Sequence, residues 1–226
     1  MKRTIVFLLI LFSVSGCFLK SVNPLVTTES AITVEGLHNT WESEDQRWTF
    51  INDPVSLPEL NMEGPSFSGS ITLESGGGAT IFEDEHIYLI VHENLEKAQP
   101  DTTLFVGYIG DFEGDYFLDL SLLSIGSEND LFRSTHLFPV HSFSRLTIDD
   151  EKLEIEFFKD RWIKEQILDN RVRIKHERVM EGPMADEYSI LITAGTPELR
   201  QFVTKYKSNE RAFEDPLELF KVTDAI

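Results

Sequence analysis

Leu153-Glu154-Ile155-Glu156-Phe157 alternates without a break, apolar side chains at the odd positions and glutamates at the even ones. Successive side chains of a strand point to opposite faces, so this run reads as a strand with one dry face and one wet face. The same period recurs in Arg171-Val172-Arg173-Ile174-Lys175, whose basic face would pair with the acidic one if the two strands were neighbours. Working outward, strands are predicted over 48–51, 68–73, 80–82, 86–92, 103–109, 116–123, 136–148 and 187–193. Turn-forming residues separate many of them: Gly76-Gly77-Gly78, Glu83-Asp84-Glu85, Asp111-Phe112-Glu113-Gly114-Asp115 and Asp149-Asp150. Short strands at that spacing predict a mainly β fold, an antiparallel barrel or a strongly curved sheet.

Two helices interrupt the pattern. Thr196-Pro197-Glu198 reads as an N-cap followed by proline in the first turn, and Leu199, Phe202, Val203 and Tyr206 then recur at helical spacing. A second helix is predicted from Asp160 to Leu168, with Trp162, Ile163, Ile167 and Leu168 on its apolar stripe. Both stripes are read as faces that pack on the sheet.

The chain has 226 residues, 41% hydrophobic and 26% charged, with a single cysteine. That composition excludes a disordered tail, a collagen-like fibre, a disulfide scaffold and a polytopic membrane protein. Twenty Lys and Arg against 39 Asp and Glu give a formal charge of −19. There is no basic footprint for holding nucleic acid by its phosphates, and no nucleic-acid partner is expected.

At the N-terminus, Lys2 and Arg3 precede an apolar run from Ile5 to Phe12, followed by Ser13, Ser15 and Gly16 before Cys17. A cationic start, a short apolar stretch and small residues make a signal peptide over 1–16. The run is too short to cross a bilayer as a helix, which takes roughly 20 residues. Removing it takes away two cations and no anion, which leaves the mature chain at −21. Residues 17–35 show little periodicity and read as a tether, and residues 36–226 as one β-rich domain.

Val14-Ser15-Gly16-Cys17 resembles the lipobox of bacterial lipoproteins. The resemblance implies cleavage between Gly16 and Cys17, a diacylglyceryl group on the Cys17 thiol, and acylation, such as by palmitate, of the new amino terminus. Two or three acyl chains anchor a protein almost permanently, at about 0.8 kcal/mol per buried methylene. Phe18 and Leu19 follow the cysteine, with no aspartate of the kind that retains enterobacterial lipoproteins at the inner membrane. The resemblance therefore implies a domain facing the periplasm, with the outer membrane favoured over the inner. Leu37-His38-Asn39-Thr40-Trp41 is similar to the opening strand of lipocalin-like barrels, Asn39 standing where their glycine stands, and this implies a calycin-like barrel. The stretch from Leu104 to Val222 resembles a group of hypothetical bacterial lipoproteins through Phe117-Leu118-Asp119-Leu120, Phe138-Pro139-Val140-His141-Ser142-Phe143, the Trp162 helix and Leu191-Ile192-Thr193-Ala194. That group carries no established activity, so the resemblance transfers no catalytic residue.

Candidates for chemistry are few. Six histidines are present, but His86 and His92 are six residues apart on one strand face, about 20 Å at 3.3 Å per residue, too far to share a metal ion. His136 and His141 are separated by an odd number and face opposite ways on a regular strand. No serine-nucleophile, metalloprotease, phosphate-loop or dinucleotide motif occurs, the one cysteine belongs to the anchor, and no cofactor is expected. Asp111, Glu113 and Asp115 read as an acidic hairpin turn rather than a calcium loop. Asp119 shares a strand face with Phe117 and Ser121, opposite Leu118, Leu120 and Leu122. Facing a barrel interior it would be a buried acid with a raised pKa; facing outward it would be a solvated charge.

Two functions follow as expectations. One is a non-enzymatic, membrane-anchored domain that binds an apolar small molecule or an envelope protein. The alternative is a periplasmic hydrolase-type enzyme with His141, Asp119 or both in acid–base roles.

Overall fold

The computed structural model describes residues 18–52, 60–64, 67–71, 86–96, 101–123, 140–180 and 188–223. Residues 1–17, with the signal peptide and the Gly16 and Cys17 cleavage site expected there, the strand expected at 80–82, and His136 lie outside them. In chain order the strands are β1 (Lys20–Ser21), β2 (Thr40–Glu42), β3 (Gln46–Ile51), β4 (Leu60–Gly64), β5 (Phe67–Ile71), β6 (Ile87–Asn94), β7 (Asp101–Phe112), β8 (Asp115–Leu122), β9 (His141–Ile148) and β10 (Lys152–Phe157). Helix α1 (Asp160–Leu168), β11 (His176–Met180), β12 (Tyr188–Ile192), α2 (Thr196–Tyr206) and β13 (Leu217–Lys221) complete the chain.

Eight strands, β2-β3-β6-β7-β8-β9-β10-β13, pair antiparallel in that order, and β13 returns to β2 to close an antiparallel barrel. The mainly β fold with two helices is thus present, and the Leu153–Phe157 alternation is β10. Its apolar face points into the barrel. Register carries that face round the ring: Trp41 lies opposite Trp48, Phe50 opposite Ile90, Ile109 opposite Leu118, and Leu146 opposite Ile155. These side chains, with Leu153, Phe157 and Leu219, form one buried cluster. Gly107 lies on the same inner face. A Cβ there would come within 2.5 Å of Ile90 Cδ1 and 3.1 Å of Leu118 Cδ1, so the position has room for these neighbouring side chains and for none of its own.

Two-residue turns close the lower end. At the β7–β8 hairpin Glu113 and Gly114 both take positive φ, 56° and 92°, the backbone twist that suits a tight hairpin. Residues 32–37 seal the barrel below. Ile32 bridges Ile109, the Val34 amide donates to the Tyr88 hydroxyl at 3.0 Å, and Trp41 Nε1 donates to the Leu37 carbonyl at 3.1 Å.

A second layer covers the outside of β8 and β9. The lower part of β9 pairs with β10, but its first two residues pair with β1 instead, so the sheet forks there. From the fork, β1 pairs parallel with β12, and β12 antiparallel with β11. Helices α1 and α2 pack on this side sheet and on the outer face of the barrel. Leu19, Leu25, Val26, Phe117, Phe143, Phe158, Trp162, Leu199 and Phe202 belong to this second buried cluster. Residues 18–35, read from the sequence as a tether, are therefore part of the fold: Leu19, Leu25 and Val26 are at most 1% exposed.

The stretch 171–175 is irregular rather than a strand beside β10. Asn170 turns the chain at φ 58°, and the Arg171 and Val172 amides then satisfy the Gln166 carbonyl at the end of α1. Those donors are no longer free for a ladder, and the strand begins at His176.

Candidate functional site

Asp119 and His141, the two residues singled out for chemistry, are brought together. Both lie on outward faces of the barrel, Asp119 on β8 and His141 on β9, and His141 Nδ1 is 2.8 Å from Asp119 Oδ1. The Asp119 side chain is 1% exposed, although it points away from the barrel interior. Outward and buried was not one of the two expected outcomes. The reason is the second layer: the N-terminal segment crosses directly over β8 and covers the carboxylate.

That segment also uses the carboxylate. Asp119 Oδ2 accepts from the Leu25 amide at 2.5 Å and the Val26 amide at 3.0 Å. Buried amides need an acceptor, and these two have no strand neighbour to supply one. Gly110 permits the close approach, since a Cβ there would meet Val26 Cγ2 at 2.9 Å. Leu25 and Val26 were invisible as site residues in the sequence because they contribute backbone, not side chain.

Register sets a serine on each side of His141, Ser121 on β8 and Ser21 on β1. The Ser21 hydroxyl is fully buried and accepts from the Asn23 amide at 3.2 Å. The imidazole side chain is 22% exposed. An aspartate–histidine pair of this geometry can orient a general base, provided a substrate reaches the second ring nitrogen. Here the aspartate of the pair holds the outer layer to the barrel.

The other candidates fall into structural settings. Lys207 Nζ lies 2.7 Å from Asp115 Oδ2 and 3.5 Å from Glu113 Oε2, and also donates to the Phe112 carbonyl at 2.6 Å. The acidic hairpin is thus tied to the end of α2 by a lysine, which Asp115 pushes above its ordinary pKa. His92 faces the barrel interior, its ring 4.8 Å from that of Trp48. Gln46 Oε1 lies 3.3 Å from His92 Nε2 and accepts from Trp48 Nε1 at 3.2 Å. Burial in this wall pushes the His92 pKa below its ordinary value, with Glu93 and Asp45 opposing. His86 lies just before β6, with Nδ1 3.0 Å from the Thr33 hydroxyl. Among the described residues no three His, Cys, Asp or Glu are grouped to hold a metal ion.

Inside the barrel, Trp48, His92, Phe105 and Leu122 occupy the end opposite the seal formed by residues 32–37. Trp48 and Phe105 stack with ring centroids 6.4 Å apart, and Leu122 is 49% exposed. The Ser144 hydroxyl, fully buried on the inner face, has no hydrogen-bond partner among the described residues.

No protein family matches the chain, no curated protein is similar to it, and no solved structure matches it.

Proposed function

We propose that this chain is a bacterial lipoprotein, anchored through acyl chains on Cys17, whose barrel domain works in the periplasm by binding and not by catalysis. The outer membrane is the favoured site, since no aspartate follows Cys17. The observation that carries the non-enzymatic reading is the enclosure of Asp119. Its carboxylate lies beneath Leu25 and Val26 and accepts both their amides, so the strongest candidate for acid–base chemistry already serves to fasten the fold.

The ligand chemistry favoured by the barrel is apolar and aromatic. At the upper end Trp48, Phe105 and Leu122 offer apolar surface, and His92 and Gln46 offer polar contacts. An envelope protein docking on that rim is the other binding mode.

Native mass spectrometry, with lipid extraction, on a soluble chain starting at Phe18 and purified from a bacterial periplasm tests the reading. A reproducible co-purifying small molecule is the expected result. A clean apo mass overturns the small-molecule version and turns attention to a protein partner. Cys17→Ala tests the anchor: the protein is expected to leave the membrane fraction, and unchanged fractionation with an unmodified Cys17 in the parent chain would sink the lipoprotein reading.

One observation favours a second reading. The 2.8 Å contact between His141 and Asp119 is one that a periplasmic hydrolase can use to orient a general base. Loss of a hydrolytic activity in His141→Ala, with folding retained, would establish it.

A further inference from the structure

Phe18 shows where the anchor joins the fold. It sits in the fork between β9 and β10, bridges Lys159 through its backbone, and stacks on Phe157 with ring centroids 4.1 Å apart. Leu19 is 1% exposed, and the next two residues are β1, held between β9 and β12. Consecutive Cα atoms are about 3.8 Å apart, so Cys17 can stand no farther than that from a residue already built into the domain. Lipoproteins with a flexible stalk let the domain range over the bilayer; this chain has no length for one.

Basic side chains accompany the ring at that point. Phe18 is 40% exposed. Lys20 is exposed, Lys159 keeps 31% of its side chain in solvent, and Arg161 in the first turn of α1 keeps 92%. Lys159 and Arg161 each pair with one acid, Glu214 and Glu165, at 3.8 Å. Lys20 thus follows Phe18 two residues along the chain, Lys159 lies across its backbone bridge, and Arg161 stands two residues beyond Lys159 at the start of α1. An aromatic ring at headgroup depth, flanked by long basic side chains that reach the phosphates, is what a bilayer interface accommodates. The acids of the lower hairpins, Glu113 and Asp115 on one and Asp149, Asp150 and Glu151 on the other, lie away from it. Along β10, Glu151 is about 20 Å from Phe157 at roughly 3.3 Å per residue.

We infer that the face formed by Phe18, Lys20, Lys159 and Arg161 lies directly on the phospholipid bilayer that holds the acyl chains of Cys17, and that this contact fixes the orientation of the barrel. The inference rests on the lipoprotein reading above and adds to it a docking surface and a direction. The hairpins at 113–115 and 149–151 are turned toward the aqueous side.

The test uses the full chain, matured in a bacterial host and reconstituted in vesicles of phosphatidylethanolamine and phosphatidylglycerol. Arg161→Cys and Asp150→Cys, both at exposed positions, are each labelled with an environment-sensitive fluorophore; the acylated Cys17 has no free thiol to react. A quencher carried on the lipid chains is expected to quench the label at 161 several-fold more than the label at 150. Equal quenching, or stronger quenching at 150, in a chain whose mass carries the acyl groups overturns the docking surface and leaves the anchor standing. A mature chain without the acyl mass overturns the lipoprotein reading and the inference together.

Discussion

Substituting Asp119 by Ala removes the acceptor shared by the Leu25 and Val26 amides. Each buried donor left without a partner costs about 1–3 kcal/mol, so Asp119→Ala is expected to lower the denaturant midpoint markedly. His141→Ala leaves both amides satisfied and is expected to cost about 1 kcal/mol, the ordinary worth of one hydrogen bond. Comparable losses in the two variants would contradict the fastening role. His92 supplies a pH test. Burial holds its folded pKa below the ordinary value of 6.5, so the unfolded chain binds the proton more readily. Stability from this residue is therefore full above the unfolded value and falls as pH drops below it. Between pH 7.5 and 5.5, His92→Gln is expected to lose less stability than the parent, as measured by urea denaturation; an identical loss would remove His92 as the cause. At this scale the sequence shows which face of β8 carries Asp119, because alternation with Phe117 and Ser121 is local. It does not show that the face is covered, because the cover comes from residues more than ninety positions away.

At the scale of elements, Arg145 on β9 joins three pieces of the fold. It donates to Glu156 Oε2 at 2.7 Å and Oε1 at 2.8 Å, to the Lys207 carbonyl at the end of α2 at 2.9 Å, and lies 4.5 Å above the Phe213 ring. The Glu156 side chain is 11% exposed, and its hydrogen bonds raise the Arg145 pKa. Arg145→Met strands that carboxylate, and breaking a buried pair from one side costs about 3–5 kcal/mol. The paired variant Arg145→Met with Glu156→Leu is expected to recover most of the loss in thermal unfolding; no recovery would place the effect elsewhere. Helix α2 is the element the sequence announces most clearly, from Pro197 and the Leu199–Tyr206 stripe. Its cap is shifted by one residue: Gly195 is the N-cap, because the Thr196 hydroxyl donates instead to the Pro24 carbonyl at 2.6 Å. Again the displaced detail involves the N-terminal segment, whose partners local periodicity cannot reveal. The alternation at 171–175 misled for a different reason, since the end of α1 takes the Arg171 and Val172 amides.

Across the whole molecule, two apolar clusters meet at the wall formed by β8 and β9, one inside the barrel and one outside it. The closed ring hydrogen-bonds without β1, whereas the side sheet reaches the barrel through it. A chain that begins at Thr27 is thus expected to keep slow hydrogen exchange in β6, β7 and β8 and to lose it in β12, α1 and α2. Uniform loss across all six elements would mean that the two clusters form one cooperative unit. The barrel is legible in the sequence because hairpin neighbours are close along the chain; the side layer is not, because it is assembled from both ends.

The position of β1 also orders events in time. Lys20 pairs with Ser142 and Leu191, so the residues synthesised first wait for partners that emerge after most of the chain has been made. Closing so long a loop is slow compared with forming hairpins. β1 therefore cannot take its place between β9 and β12 until the last strands are delivered, and its insertion into the fork is the step that joins the side sheet to the barrel.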